Sequence, residues 1–159
     1  MISTSTVEGQ ADLAALKAEL LTDPKGLGLT TLVADDGANA DRLNNIPVAT
    51  ATTMQVLVSS IATADVYNAC DPIELQALTQ PQLMNLQIIM GWEQVFPDRY
   101  PNIAGAIEGM FGSQSKSLAV VKALFYRDGS RAEQMHQQGL LTTVSYVTPS
   151  DVANARNLA

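Results

Sequence analysis

The chain is poor in the residues that most directly announce chemistry. Its 159 residues include one cysteine, Cys70, and one histidine, His136. A lone thiol excludes an internal disulfide framework and any multi-thiolate zinc or iron–sulfur site, and it fits a reducing compartment. Charged residues make up only 16% of the chain and aromatics 5%, where a globular domain usually carries about a quarter charged residues. Nine Lys and Arg against sixteen Asp and Glu leave a net charge of −7. That balance argues against an electrostatic grip on nucleic acid or on an anionic membrane. The opening MISTSTVEGQ has no basic region followed by an apolar run, so it reads as no secretory signal and the chain is expected to be made in the cytoplasm. Two long uncharged stretches, Leu43 to Ala64 and Leu75 to Trp92, carry Asn, Gln, Thr or Pro where a membrane span would carry Leu and Ile. What is abundant is apolar residues, at 47%, enough to exclude disorder and to build one core. So apolar a chain with so little charge reads as a subunit that hides surface.

Periodicity and punctuation predict an all-α single domain of about eight short helices, with at most one short extended ribbon at 142–147. Leu13, Leu16 and Leu20 form the apolar stripe of a first helix over Glu8 to Leu21, which Asp23-Pro24 stops. A short helix follows from Asp36 to Asn44, then one near Ala51 to Ala62 with Met54, Leu57, Val58 and Ile61 inward. Its β-branched residues also suit a strand. Asp71-Pro72-Ile73-Glu74 is a helix start, with an N-cap acceptor and a first-turn proline. Leu83, Leu86, Ile88, Ile89, Met90 and Trp92 leave almost no polar side on the next helix before Phe96-Pro97. This is either the central buried helix or one whose face meets another subunit. Further helices are expected from Pro101 to Phe111 and from Ser115 to Arg127. Ser130 to Glu133 forms a capping box closed by Gly139, and Thr148-Pro149-Ser150-Asp151 opens the last helix.

No motif in this frame carries chemistry. Gly26-Leu27-Gly28-Leu29 resembles a phosphate-cradling loop only superficially, because it lacks the Gly-Lys-Ser/Thr ending, and it reads as a turn. His136 has no Gly-x-Ser-x-Gly serine to activate, and Glu133 is merely its i−3 neighbour. Cys70 with His136 could form a thiol pair, yet a cysteine just before a helix cap is usually a small buried apolar residue. Asp35, Asp36 and Asp41 form no calcium-loop or zinc spacing and read as a solvated turn. No carboxylate pair is accompanied by an aromatic sugar platform. Trp92, Phe96, Tyr100, Phe111 and Phe125 read as core packing rather than a ligand cage. No catalytic residue, cofactor or metal ligand is therefore assigned.

One feature exceeds expectation. From Leu43 to Asp98, fifty-six residues contain no Lys, Arg or His, while Asp65, Asp71, Glu74, Glu93 and Asp98 supply five acids. Permanent contact with other chains explains this segment, and so does an internal core hairpin wrapped by charged ends. Leu83, Leu86, Met90 and Trp92 are its expected core or interface residues. Residues 1–9 form an expected arm ahead of a helical domain over 10–159. The arm offers only Met1, Ile2 and Val7 as apolar anchors, too little area to hold it still alone. Met1 to Val7 is therefore expected to run along another subunit, anchored by Ile2.

Leu16 to Pro24 with Gly26 and Gly28, followed by Ala38 to Asn44 and Pro47, resembles the opening of a family of small tailed-bacteriophage proteins. Genes of that family lie among virion structural genes. Ser130-Arg131-Ala132-Glu133, Gly139, Val144 to Val147 and Thr148 to Arg156 resemble its closing helix-turn-helix. The two stretches cover about half the chain. The resemblance implies a virion component made in the host cytoplasm, present in multiple copies in a symmetric assembly, with other virion proteins as partners and neither nucleic acid nor membrane. The competing classes are a small helical protein-binding module, an assembly chaperone, and an enzyme using His136 or Cys70.

Overall fold

Short polar caps start most of the helices, and their positions follow the sequence closely. The structure, a computed structural model, describes residues 1–29, 35–47 and 54–158. Of these, 55% are helical and 8% lie in strands, so the chain is mostly helical but not purely all-α. The described residues fall into two compact units, Met1–Val56 with Asp128–Ala159, and Leu57–Arg127. The sequence predicts one domain from residue 10, whereas packing divides the chain in two and places residues 1–9 in the first unit.

The first unit holds α1 (Val7–Thr22), α2 (Asp36–Asn44), α8 (Arg131–Gln137) and α9 (Pro149–Arg156). α1 packs on α9, and α2 packs on both α8 and α9. The expected stripe of α1 is buried as Leu13, Leu16 and Leu20, against Leu43, Met135, Leu141, Val147 and Val152. Thr6 caps α1 through Gly9 N–H at 3.1 Å. The capping boxes of α8 and α9 form as expected: Ser130 Oγ accepts from Glu133 N–H, and Thr148 Oγ1 from Asp151 N–H. Gly139 takes the positive φ of 72° that ends α8.

Three polar knots hold this unit. Glu19 and Arg131 form a bidentate ion pair at 2.6 and 2.7 Å, both buried, and Arg131 also donates to Gln134. Asp12 accepts from the backbone N–H and hydroxyl of both Thr142 and Thr143. Burial opposes ionisation of Asp12, but these bonds outweigh it and hold the carboxyl below its ordinary range. They also explain a correction: residues 142–147 form no strand, because their amides turn toward a side chain instead of a ladder. The third knot is Asp151, whose carboxylate accepts from Thr148 and, at 2.6 Å, from Ile2 N–H.

The second unit contains β2 (Ile61–Ala62), α3 (Thr63–Ala69), α4 (Pro72–Gln76), α5 (Gln80–Met90), β3 (Gln94–Val95), α6 (Pro101–Glu108) and α7 (Lys116–Phe125). Its core is Val66, Cys70, Leu86, Ile89, Val95, Ile107, Phe111, Val121 and Phe125. β2 and β3 pair antiparallel, Ile61 with Val95 and Ala62 with Gln94. β1 (Met54–Leu57) pairs with β4 (Tyr126–Gly129), and the unit boundaries fall within these strands. The helix expected near 51–62 is thus absent over 54–62, and 51–53 lie outside the described residues. Met54 and Val56 are buried with Gln55 exposed between them, the period-two pattern that β-branched residues favour.

α4 starts as predicted, with Asp71 Oδ1 accepting from Ile73 N–H at 2.8 Å. Glu74 then reaches the start of α7. It accepts from Ser115 Oγ at 2.6 Å and from the amides of Lys116 and Ser117 at 2.9 Å. The Ser115 hydroxyl, then the Ser117 donors, hold the Glu74 carboxyl down at about 2, as expected of a carboxylate accepting helix N-terminal amides.

Candidate functional site

Thr79 opens α5, its N–H and hydroxyl both donating to Gln82 Oε1 at 2.8 and 2.7 Å, with Pro81 in the first turn. Gly91 ends it, and β3 follows at Gln94. The helix predicted to continue to Phe96 therefore stops at Met90. No residue of α5 is charged, and it carries two apolar stripes. One faces inward: Leu86 and Ile89 are buried, with Met90 packed half-buried against the same core. The other faces solvent. Met84, Ile88 and, beyond the helix end, Trp92 are spaced i, i+4 and i+8 and are 55%, 61% and 46% exposed.

Uncharged Asn85 and Gln87 share the exposed side of α5 with this second stripe, and the helix is enclosed on one side only. Exposed Tyr67 and Ile73 on α3 and α4 extend the apolar surface of this unit. Two cavities lie on it. A groove of about 430 Å³ runs between α3 and α5, lined by Tyr67, Leu75, Leu83, Leu86, Gln87 and Met90. A separate hollow of about 380 Å³ is lined by Trp92, Val95, Phe96, Tyr100 and Ile103. Arg99 lies over the Phe96 ring at 5.4 Å.

The residues singled out from the sequence separate accordingly. Leu86 is core. Leu83 and Met90 are half-buried and line the groove. Trp92, expected as core or interface, is not core: it is exposed at the rim of the aromatic hollow, as is Tyr100. Ile2 is 2% exposed and belongs to the chain's own first-unit core. The expectation that it anchors Met1 to Val7 on another subunit is corrected: Asp151 holds its amide, α1 already begins at Val7, and Ser3 O approaches so closely that a Cβ on Gly9 would lie 2.0 Å from it. Sequence reasoning names Ile88 only as part of the apolar run of this helix and misses Met84 and Tyr67. The signal for Met84 and Ile88 is the i, i+4, i+8 spacing that they share with Trp92.

The candidate chemical groups are engaged structurally. Asp23, in the left-handed region at φ 39°, accepts from the amides of Leu27, Gly28 and Leu29. The loop that resembles a phosphate cradle thus wraps its amides around the chain's own carboxylate. Cys70 is buried, with Sγ 3.2 Å from Val66 O. Burial, then the Glu74 charge, push its thiol up, the opposite of an activated nucleophile. His136 Nδ1 lies 2.7 Å from Leu141 O, and His136 and Cys70 belong to different units. Among the described residues no three His, Cys, Asp or Glu side chains gather as metal ligands, and no helix is long and apolar enough to cross a membrane. No family model, curated protein or solved structure matches the chain.

Proposed function

We propose that the chain is a structural or assembly subunit that works through protein–protein contacts, and that it is a component of a tailed-phage particle. The observation that carries the first part is the outer stripe Met84 and Ile88 on the uncharged helix α5, continued by Trp92 just past its end. Single exposed apolar residues are ordinary, but a helical stripe of three beside an apolar groove is the pattern of an interface in search of its other half. The second part rests on the likeness of residues 16–47 and 130–156 to small virion proteins described above. In this reading the first unit is a self-contained helical cluster and the second presents the contact surface to other virion proteins, with several copies per particle.

Mass spectrometry of purified particles produced by the genome that encodes the chain tests this directly. The chain is expected in the particle at several copies. Its absence from finished particles, with presence in assembling lysates, would shift the role to a chaperone of assembly.

A further inference from the structure

We propose that the two units are coupled through the chain itself: the second is a folded insert in the first, and by folding it closes the long loop between the first unit's two halves. The coupling is independent of what the chain contacts. The first unit is discontinuous, Met1–Val56 with Asp128–Ala159, and the second is the continuous segment between them. Long-range bonds follow that division. Ile2 to Asp151, Glu19 to Arg131 and Asn44 to Val147 span 149, 112 and 103 positions and bracket the insert. Gln82 to Met110 and Asp71 to Ser117 span 28 and 46 positions and lie within it. The two buried cores are built from different residues.

The chain leaves the first unit and returns to it at one place, the paired strands β1 and β4. Gln55 Nε2 donates to Asp128 Oδ1, and Val58 N–H donates to Phe125 O at 2.9 Å. Gly129 sits so close to Val56 that a Cβ on it would lie 2.4 Å from that side chain. The folded insert thus presents its ends about 5 Å apart, at strand spacing. With the insert unfolded, the first unit must instead close a loop of about 70 residues, and each doubling of loop length costs a factor of about three. From a few residues to about 70 is roughly four doublings, so folding of the second unit favours the first by about tenfold to a hundredfold. Linkage is reciprocal: a folded first unit favours the second by the same factor.

The test uses the full chain carrying Cys70→Ala, isotope-labelled for residue-by-residue hydrogen exchange by NMR. Leu86→Asp unfolds the second unit, and Val121→Asp in the same core serves if Leu86→Asp does not. Amides of α1 and α9 should then exchange about tenfold to a hundredfold faster than in the parent. Gln55→Cys with Asp128→Cys supplies the closure covalently. Once oxidised, that disulfide should reverse most of the acceleration in the Leu86→Asp chain, yet slow the parent's exchange by less than about threefold, because the folded insert already closes its loop. Leu57→Cys with Tyr126→Cys takes its place if the first pair does not oxidise. Leu16→Asp, in the first-unit core, should accelerate exchange in α5 and α7 by the same factor. First-unit exchange indifferent to unfolding of the second, or an effect in one direction only, would overturn the proposal. An acceleration that the closed disulfide leaves in place would overturn it too, since the coupling would then run through something other than the chain. So would failure of both cysteine pairs to oxidise in the parent, or a second unit that stays folded with both acid substitutions.

Discussion

Replacing Ile2 by Ala in the isolated chain measures how firmly the first residues belong to their own unit. Ile2 is 2% exposed among Leu13, Leu16, Val152 and their neighbours. Removing a fully buried Ile side chain forfeits its transfer free energy, about 1.5–3 kcal/mol, and adds a cavity cost that brings such changes to about 2–5 kcal/mol. A site near the chain end can close partly around the cavity, so about 2–3 kcal/mol is expected here. With a urea slope of about 2 kcal/mol/M, the midpoint should fall by about 1–1.5 M. Far-UV circular dichroism through a urea titration reads this directly. Met1→Ala, at a side chain 79% exposed, is the matched control and should change stability by less than about 0.5 kcal/mol. An Ile2→Ala midpoint within about 0.2 M of the parent at unchanged slope would refute the burial of Ile2. It would also restore the N-terminal residues as an arm awaiting a partner.

Arg131→Leu strands the buried Glu19 carboxylate and should cost about 3–5 kcal/mol by urea titration. Glu19→Leu combined with Arg131→Leu should recover most of that loss, and equal losses in the single and double variants would contradict the pairing. Glu74 is ionised in the fold down to about pH 2, below its ordinary range, so its contribution is present above about pH 4.5 and is lost as pH falls toward 2. Carboxyl NMR should show this midpoint, Glu74→Gln should remove that part of the acid dependence, and an ordinary midpoint near 4.3 would overturn the capping of α7. Leu86→Asp buries an unpartnered charge in the second-unit core and should abolish the cooperative folding of that unit. A soluble, folded Leu86→Asp chain would refute its burial.

Much of the local structure was legible because its determinants are local. The boxes at Ser130 and Thr148, the Asp71-Pro72 start and the Gly139 stop involve residues within a few positions of each other, and all formed. What sequence could not show depends on distant partners. Residues 54–57 become a strand because 126–129 lie beside them, a pairing tied by Gln55 and Asp128, 73 positions apart. Ile2 finds its seat on Asp151, 149 positions away. At α5 the apolar residues were evident, but a helix without charge, its Gln and Asn interspersed among apolar positions, does not by composition separate one enclosed on all sides from one with an outward face. Only the packing distinguishes Leu86 from Ile88, two residues on.

That distinction is the centre of the account, and incorporation of Ile88→Asp into particles tests it most directly. The substituted side chain is 61% exposed, so the isolated variant should keep the circular dichroism and urea midpoint of the parent within about 0.5 kcal/mol. An interface residue at the same position should not tolerate the charge, since an unpaired buried carboxylate costs several kcal/mol. With parent and variant chains supplied together, quantitative mass spectrometry of purified particles should find the parent at several copies and Ile88→Asp depleted by roughly tenfold or more. Incorporation of the two chains in equal amounts, or the absence of the parent itself, would contradict the assignment of this face as the chain's point of assembly.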